Sequence, residues 1–116
     1  MTDKEITEII ATKVMGWTKD ISGGHWIYMD GDTIERWYAT YAFRPLDADR
    51  SCMMAWDRVA EEVGAFDSDI TTVCCWKTLE DEGKWTARII KADSNNEAQS
   101  TDRRRAMCLC MVKAVS

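Results

Sequence analysis

The spacing of apolar residues predicts a helix at the start of the chain. Isoleucine and valine recur at helical intervals between Ile6 and Val14, which gives the segment one apolar face. Thr2 and Glu5 have the spacing of a capping box, in which each residue bonds the other's backbone N–H. We therefore expect a helix that begins after Thr2, buries one face and ends near Gly16.

Two pairs of aromatic-rich or β-branched runs predict two β-hairpins. The first pair is H-W-I-Y-M and I-E-R-W-Y-A-T-Y-A-F, joined by the turn sequence D-G-D-T. The second pair is I-T-T-V-C-C-W-K-T and K-W-T-A-R-I-I-K, joined by L-E-D-E-G. Glycine in each connection supplies the positive φ that tight turns require, so both pairs are typical of antiparallel strands.

Two further amphipathic segments predict two more helices. The second helix is expected over Asp49 to Val63, with Asp47 or Asp49 as its N-cap. A polar stretch, A-D-S-N-N-E-A-Q, then leads to a third helix, for which Ser100 or Thr101 is the expected cap.

The resulting element order, α-β-β-α-β-β-α, indicates an α+β protein. Two hairpins side by side predict a four-stranded, mainly antiparallel sheet, and helices packed on its faces give a three-layer α/β/α sandwich. The chain has one proline and no low-complexity segment. We therefore predict a single domain over residues 1–116.

Composition narrows the possible classes of protein. The chain is 46% hydrophobic and 30% charged, with a net charge of -5, which is typical of a globular domain and unsuited to duplex nucleic acid. Its apolar runs fall short of the ~20 residues of a membrane span, and the first residues do not resemble a signal peptide. Its five cysteines lack zinc-knuckle spacing, and no metal or cofactor is expected.

Three consecutive arginines, Arg103, Arg104 and Arg105, stand where the third helix is expected to begin. Cations are disfavoured there by the helix dipole, so these residues need a partner. A bound phosphate would suit the unpaired backbone N–H groups, the hydroxyls of Ser100 and Thr101 and the bidentate guanidinium groups. Alternatively, the arginines form a solvated face that pairs with nearby carboxylates.

Aromatic residues supply further candidates. Six tryptophans are present, and most are expected in the core; Trp17, beside a Gly-Gly loop, could instead stack on a planar base. His25, the one histidine, is included as a candidate ligand contact, although a lone histidine is more often structural. The sequence contains no Walker loop, dinucleotide-binding glycine motif or nucleophile elbow, so we predict no catalytic residues.

An ordered series of short motifs resembles a known family. The motifs are V-M-G-W at Val14 to Trp17, F-R-P-L-D-A-D at Phe43 to Asp49, A-W-D-R-V at Ala55 to Val59 and R-A-M-C-L-C-M-V-K-A at Arg105 to Ala114. Together they resemble the phage ABA sandwich domain, a family of small phage and prophage proteins. The resemblance implies an α/β/α layered domain of viral origin and supplies no catalytic residues. The triple arginine departs from the family's pattern.

These observations lead to two hypotheses about function. The first is a non-enzymatic phage protein in the host cell cytoplasm that sequesters a small anionic nucleotide-type ligand, such as a host immune signal. The second is a homo-oligomeric interaction module that binds a host or phage protein through exposed Trp and Met. A homo-oligomer is expected under either hypothesis, because open sheet edges can be covered by another copy.

Overall fold

The computed structural model describes residues 1–30, 33–61, 70–77 and 83–115. In chain order its helices and strands are α1 (Asp3–Ile9), β1 (Thr18–Lys19), β2 (His25–Asp30), β3 (Thr33–Ala39), α2 (Asp49–Ala60), β4 (Ile70–Lys77), β5 (Trp85–Lys91), β6 (Asn95–Ser100) and α3 (Arg103–Val115). A π-helical turn over Ile10–Val14 continues α1, and a 3-10 turn over Thr40–Ala42 follows β3.

The strands form two separate sheets. The first sheet has the order β1-β2-β3 and the second has the order β4-β5-β6, with antiparallel pairing throughout. The predicted four-stranded sheet at the centre of a three-layer α/β/α sandwich is therefore wrong, as is the order α-β-β-α-β-β-α. The observed order is α-β-β-β-α-β-β-β-α.

The two strands that the sequence did not predict lack an apolar pattern. In β6 only Ala98 is buried, because the strand lies at the edge of its sheet and its polar side chains face largely outward. The backbone of β6 nevertheless pairs with β5 from Trp85↔Ser100 to Ile90↔Asn95. β1 has only two residues, both exposed, so it is too short to show any period.

Both predicted hairpins are confirmed in their strands. β2 pairs with β3 through Ile27↔Trp37, and β4 pairs with β5 through Cys75↔Ala87. The turn residues 31–32 and 78–82, which join the strands, lie outside the described residues.

All three predicted helices are present, but only the cap predicted for α1 is confirmed. In α1 the capping box is confirmed, since the Thr2 hydroxyl accepts from the Glu5 N–H at 3.2 Å and the Glu5 carboxylate accepts from the Thr2 N–H at 3.4 Å. In α2 the predicted cap is wrong, because the N-cap is Ala48 without a side-chain bond and Asp49 is already helical. The predicted end of α2 at Val63 falls in residues 62–69, outside the described residues.

One cluster of buried side chains joins both sheets and all three helices. α3 packs on β5 and β6 and also contacts α2 and α1. The largest side chains that are less than 2% exposed are Phe43, Ile6, Ile10, Ile89, Met111, Pro45, Cys52, Cys108 and Cys110. The small residues Ala87, Ala98 and Ala106 let α3 approach the second sheet closely. The division of the chain into a single domain stays a prediction.

Candidate functional site

A cleft of about 450 Å³ opens between α1, the start of the first sheet and the segment that follows β3. This volume lies within the range of about 300–1,000 Å³ that is usual for small-molecule sites. Its lining residues are Asp3, Lys4, Thr7, Glu8, Lys19, Gly23, Trp26, Thr40, Tyr41, Phe43, Arg44, Leu46 and Asp47.

Buried hydrogen bonds hold the wall that follows β3. The Ser51 hydroxyl, on α2, accepts from the Arg44 N–H at 3.1 Å and donates to the Ala42 carbonyl at 3.4 Å. The Thr40 N–H donates to the Gly24 carbonyl at 3.0 Å, which ties the other end of this wall to the residue before β2. The wall is therefore fixed by both α2 and the first sheet.

Three cations and three carboxylates line the cleft. Each carboxylate already has a cationic partner. The Asp3, Glu8 and Asp47 carboxylates lie 3.0, 2.8 and 3.5 Å from Arg105, Lys19 and Arg44 respectively. The Lys19 ammonium lowers the pKa of the Glu8 carboxyl below its usual value by a hydrogen bond and by its charge. Within the described chain, Lys4 has no carboxylate at ion-pair distance, and its charge adds a smaller contribution to the lowered pKa of Glu8.

Trp26, on β2, forms the apolar part of the cleft wall together with Phe43. Trp26 is 3% exposed, and the Lys19 ammonium lies 5.2 Å from the centroid of its ring. The indole Nε1 of Trp26 is buried, and within the described chain it has no hydrogen-bond partner. Tyr41, in contrast, is 81% exposed at the rim.

The arginines at the start of α3 tie three helix N-termini together. Arg105 donates to the Asp3 carboxylate at 3.0 Å, and Arg103 donates to the Asp49 carboxylate at 3.4 Å. Asp3 and Asp49 lie in the first turns of α1 and α2, where the helix dipole favours anions. The cations of α3 thus neutralise acids that two neighbouring helices place beside them.

Two of these arginines also contact residues of the cleft. Arg104 donates to the Asp47 carbonyl at 2.9 Å, and Arg105 donates to the Asp3 carboxylate. Both arginines therefore contact residues that line the cleft. The three guanidinium groups are between one third and just over two fifths exposed. Direct phosphate binding by these arginines stays a prediction.

The N-terminus of α3 is capped by Asp102, so the predicted cap at Ser100 or Thr101 is wrong. The Asp102 carboxylate accepts from the Arg104 N–H at 3.0 Å, which is the bond of an N-cap. Ser100 instead ends β6 and accepts from the Asp102 N–H at 3.2 Å, while Thr101 is exposed. A carboxylate already occupies the position where a phosphate was expected.

His25 is the first residue of β2 and lies beside the turn that precedes this strand. Its Nδ1 is 3.1 Å from the Asp20 carboxylate, which also accepts from the Ser22 hydroxyl and the Gly24 N–H. The Ser22 hydrogen bond is the main reason that the pKa of Asp20 lies below its usual value. Gly23 of this turn has φ 72°, a conformation that favours glycine, and it lines the cleft, whereas His25 does not.

Trp17 is a core residue. It is 3% exposed, stacks on Tyr38 with centroids 5.3 Å apart and meets Phe43 edge-on at 5.0 Å. The suggestion that Trp17 stacks on a base from an exposed position therefore disagrees with its burial. Trp26 and Trp56 are also buried, as expected, while the Trp37 side chain lies outside the described residues.

Sequence reasoning missed most residues of the cleft. Lys4, Thr7 and Glu8 are one helical turn apart on the polar side of α1, which is a detectable signal. The sequence gives no indication that Lys19 and Arg44 face that side, because their positions depend on how β1 and the post-β3 segment pack. Trp26 was expected in the core, and its position on the cleft wall was missed.

The cysteines are all free thiols. Cys52 and Cys108 are buried between α2 and α3, and the hydrogen bond between them lowers the pKa of Cys52 and raises that of Cys108. Burial raises the pKa of Cys110 to about 12. The described residues contain no group of three or more metal-ligating side chains.

Comparison with solved structures places the fold beside a phage protein. The chain is similar to a phage protein from Bacillus cereus ATCC 14579, known from a 2.0 Å crystal structure, with a TM-score of 0.59 and 15% identity over 99% of this chain and 93% of that one. At this identity the likeness establishes the fold alone. No family model and no curated protein matches the sequence, so the resemblance to the phage ABA sandwich domain is not confirmed.

Among the described residues, no helix combines the length and the apolar character that crossing a bilayer would need.

Proposed function

We propose that this chain is a non-enzymatic phage protein that sequesters a small anionic nucleotide-type ligand in the cleft. The structural likeness to a phage protein supports the phage origin, and with it a place in the host cytoplasm. A host immune signal of nucleotide type is the ligand class that such a protein would remove from the cell. The cleft, rather than the arginine triplet alone, is the site.

The observation that carries this proposal is the pairing pattern in the cleft. All three lining carboxylates are paired with other cations, and in the described chain Lys4 has no carboxylate at ion-pair distance, its charge acting on Glu8 only from further away. The Arg44–Asp47 pair is long, at 3.5 Å, and both side chains are 62% exposed, so a phosphate can replace Asp47 at little cost. Trp26 and Phe43 add apolar wall for a base.

A thermal-shift screen with AMP, ADP, cyclic AMP and ADP-ribose tests the proposal. A ligand at a hundred times its Kd adds about 2.7 kcal/mol of stability, which raises Tm by several degrees in a domain of this size. Lys4→Ala and Arg44→Ala should each weaken the bound nucleotide, because each removes a cation from the cleft.

Two exposed cations outside the cleft serve as matched controls. Lys13→Ala and Arg50→Ala remove exposed cations of the same two types that do not line the cleft, so nucleotide binding should be unchanged. If no nucleotide raises Tm at millimolar concentration, or if the control variants weaken binding equally, the proposed function is wrong.

A second candidate is the homo-oligomeric interaction module. Within the described chain, β4 and β6 each pair with β5 alone, so both edges of the second sheet are open to another copy. Met53 is 38% exposed and Tyr41 is 81% exposed, as at adaptable partner surfaces. Light scattering on the purified, ligand-free protein tests this candidate, and a monomer at all concentrations would contradict it.

A further inference from the structure

Three aromatic residues of the described chain line the cleft, and Tyr41 alone among them is exposed. Trp26 and Phe43 are 3% and 1% exposed, so their rings are already covered by the protein, whereas Tyr41 is 81% exposed at the rim. An exposed aromatic ring gains free energy when another apolar surface covers it. Tyr41 therefore supplies the aromatic surface at the cleft that a bound molecule can reach and cover.

We propose that Tyr41 is the specificity-determining residue for the base: its ring stacks on the planar base of the ligand while the cations of the cleft bind the phosphate. This inference rests on the proposed function and names the part of the ligand that the same cleft selects. The ligand class that follows carries a planar aromatic ring and a phosphate in one molecule.

The backbone on both sides of Tyr41 is fixed, although its side chain is exposed. Tyr41 lies in the 3-10 turn that follows β3. Before it, the N–H and the hydroxyl of Thr40 both donate to the Gly24 carbonyl, at 3.0 and 3.3 Å. After it, the Ala42 carbonyl accepts from the Ser51 hydroxyl at 3.4 Å. Stacking would therefore order only the two side-chain torsions of a tyrosine, which keeps its entropic cost low.

The ring of Tyr41 can turn over the mouth of the cleft. Exposed side chains change rotamer within nanoseconds, so an 81% exposed ring reaches a neighbouring ligand without movement of the backbone. Tyr38 is different, because it already stacks on Trp17 with ring centroids 5.3 Å apart. Within the described residues, no aromatic ring stacks on Tyr41 in this way.

A cation of the same segment is within reach of the phosphate of such a ligand. Arg44 follows Tyr41 by three residues, so their Cα atoms are at most about 11 Å apart, and both residues line the cleft. The Arg44 side chain is 62% exposed and its pair with Asp47 is long, at 3.5 Å. One nucleotide can therefore contact both residues. A sugar phosphate without a base would leave the Tyr41 ring uncovered.

The test compares nucleotides with a sugar phosphate on the full chain. AMP, ADP, cyclic AMP and ADP-ribose share one base, so each of them that raises Tm is titrated into the variants by calorimetry. Ribose 5-phosphate is the probe that lacks the base. Because stacking of a base on an aromatic residue is lost with the ring, we expect Tyr41→Ala to weaken nucleotide binding by about 5-fold or more. Ribose 5-phosphate should bind wild type and Tyr41→Ala equally weakly.

Three further variants make the result specific to the ring. Tyr41→Phe keeps the ring and should bind the nucleotide within about 2-fold of wild type, whereas Tyr41→Leu keeps apolar bulk without a planar ring and should bind like Tyr41→Ala. Ile21→Ala is the control, because Ile21 is an exposed apolar residue that does not line the cleft. Its nucleotide affinity should be unchanged.

An NMR spectrum of ring-labelled tyrosine gives a second measurement. The Tyr41 signal is assigned from its loss in Tyr41→Phe. We expect the bound nucleotide to move this signal upfield, because a stacked base places its ring current over the tyrosine, and ribose 5-phosphate to leave it in place. A Tyr41 signal that stays unmoved at saturating nucleotide would overturn the stacking.

The outcomes separate this inference from the proposed function. If a nucleotide raises Tm but Tyr41→Ala or Tyr41→Leu binds it with unchanged affinity, the ring has no role, and this inference is overturned while the proposed function stands. If ribose 5-phosphate binds as tightly as the nucleotides, the selection of a base is overturned. If none of the nucleotides in the thermal-shift screen binds the wild-type chain, both the proposed function and this inference are overturned.

Discussion

The two sheets have the same number of strands and the same antiparallel pairing, but they are covered differently. The second sheet lies under α3, and Ala87, Ile89 and Ala98 are buried against the core. The first sheet instead borders a cleft of about 450 Å³, and one of its tryptophans keeps an unpaired N–H within the described chain. The covered sheet is close-packed, and the open sheet leaves room for another molecule.

This difference separates structural residues from candidate functional ones. Side chains under α3 have their contacts within the protein, so substitutions there should change stability and leave binding alone. The ion pairs of the cleft are partly exposed and therefore weak, so substitutions there should change binding more than stability. The following predictions test that division, beginning with the largest effect.

Ile89→Ala tests the covered sheet. Ile89 is 0% exposed, and its truncation leaves a cavity beneath α3. We expect unfolding in urea to show a loss of about 2–5 kcal/mol, as for other buried isoleucines. Ile21→Ala is the control, because Ile21 is fully exposed and its substitution should change stability by less than about 0.5 kcal/mol. Equal effects of the two variants would contradict the close packing of this sheet.

Paired Trp→Phe substitutions compare a stacked core tryptophan with one whose buried N–H has no partner in the described chain. Trp17 and Trp26 are both 3% exposed, but Trp17 stacks on Tyr38 whereas Trp26 has the unpaired N–H. Trp17→Phe should lose about 1–3 kcal/mol of packing and stacking free energy. Trp26→Phe should cost about 1 kcal/mol less, because it also removes a buried donor without a partner. Identical losses in urea unfolding would indicate that water already satisfies the Trp26 N–H.

The sequence predicts those parts of the fold whose pattern reflects burial on one face. The capping box at Thr2 and Glu5, both hairpins and the helix beginning at Arg103 are all present. β6 escaped prediction because an edge strand needs only backbone pairing and one buried alanine, and β1 escaped it because two residues have no period. Each additional strand extends one hairpin to three strands, and within the described residues the two hairpins do not pair with each other.

The candidate site was less predictable, because it is made by packing between distant segments. The sequence drew attention to the arginines, and the structure shows why they are tolerated at a helix N-terminus: Asp3 and Asp49 lie beside them. It gave no indication that Lys4, Lys19 and Arg44 share one cleft, since residues from α1, β1 and the post-β3 segment meet only in three dimensions.

Alkaline pH should lower the free energy of unfolding, because a buried cysteine of α3 must lose its proton. Burial raises the pKa of Cys110 to about 12 from an ordinary value of 9.0, so the folded state holds this proton more tightly than the unfolded state. The protonated thiol therefore contributes to the free energy of unfolding. This contribution is fully present below pH 9 and is lost as the pH rises toward 12. We expect a loss of about 1 kcal/mol between pH 8 and pH 10 in urea unfolding. Cys110→Ala should reduce this loss, and an unchanged pH dependence would contradict the assignment.

The smallest predicted effect concerns the ion pair between α3 and the cleft wall. Arg105 of α3 holds Asp3 of the cleft wall at 3.0 Å, but the two side chains are 41% and 67% exposed. A double-mutant cycle with Arg105→Ala and Asp3→Ala should give a coupling of about 0.2–1 kcal/mol, and 1 M NaCl should reduce it. Such a weak pair can open without a large loss of stability. A coupling above about 2 kcal/mol would instead mean that Arg105 is committed to the fold.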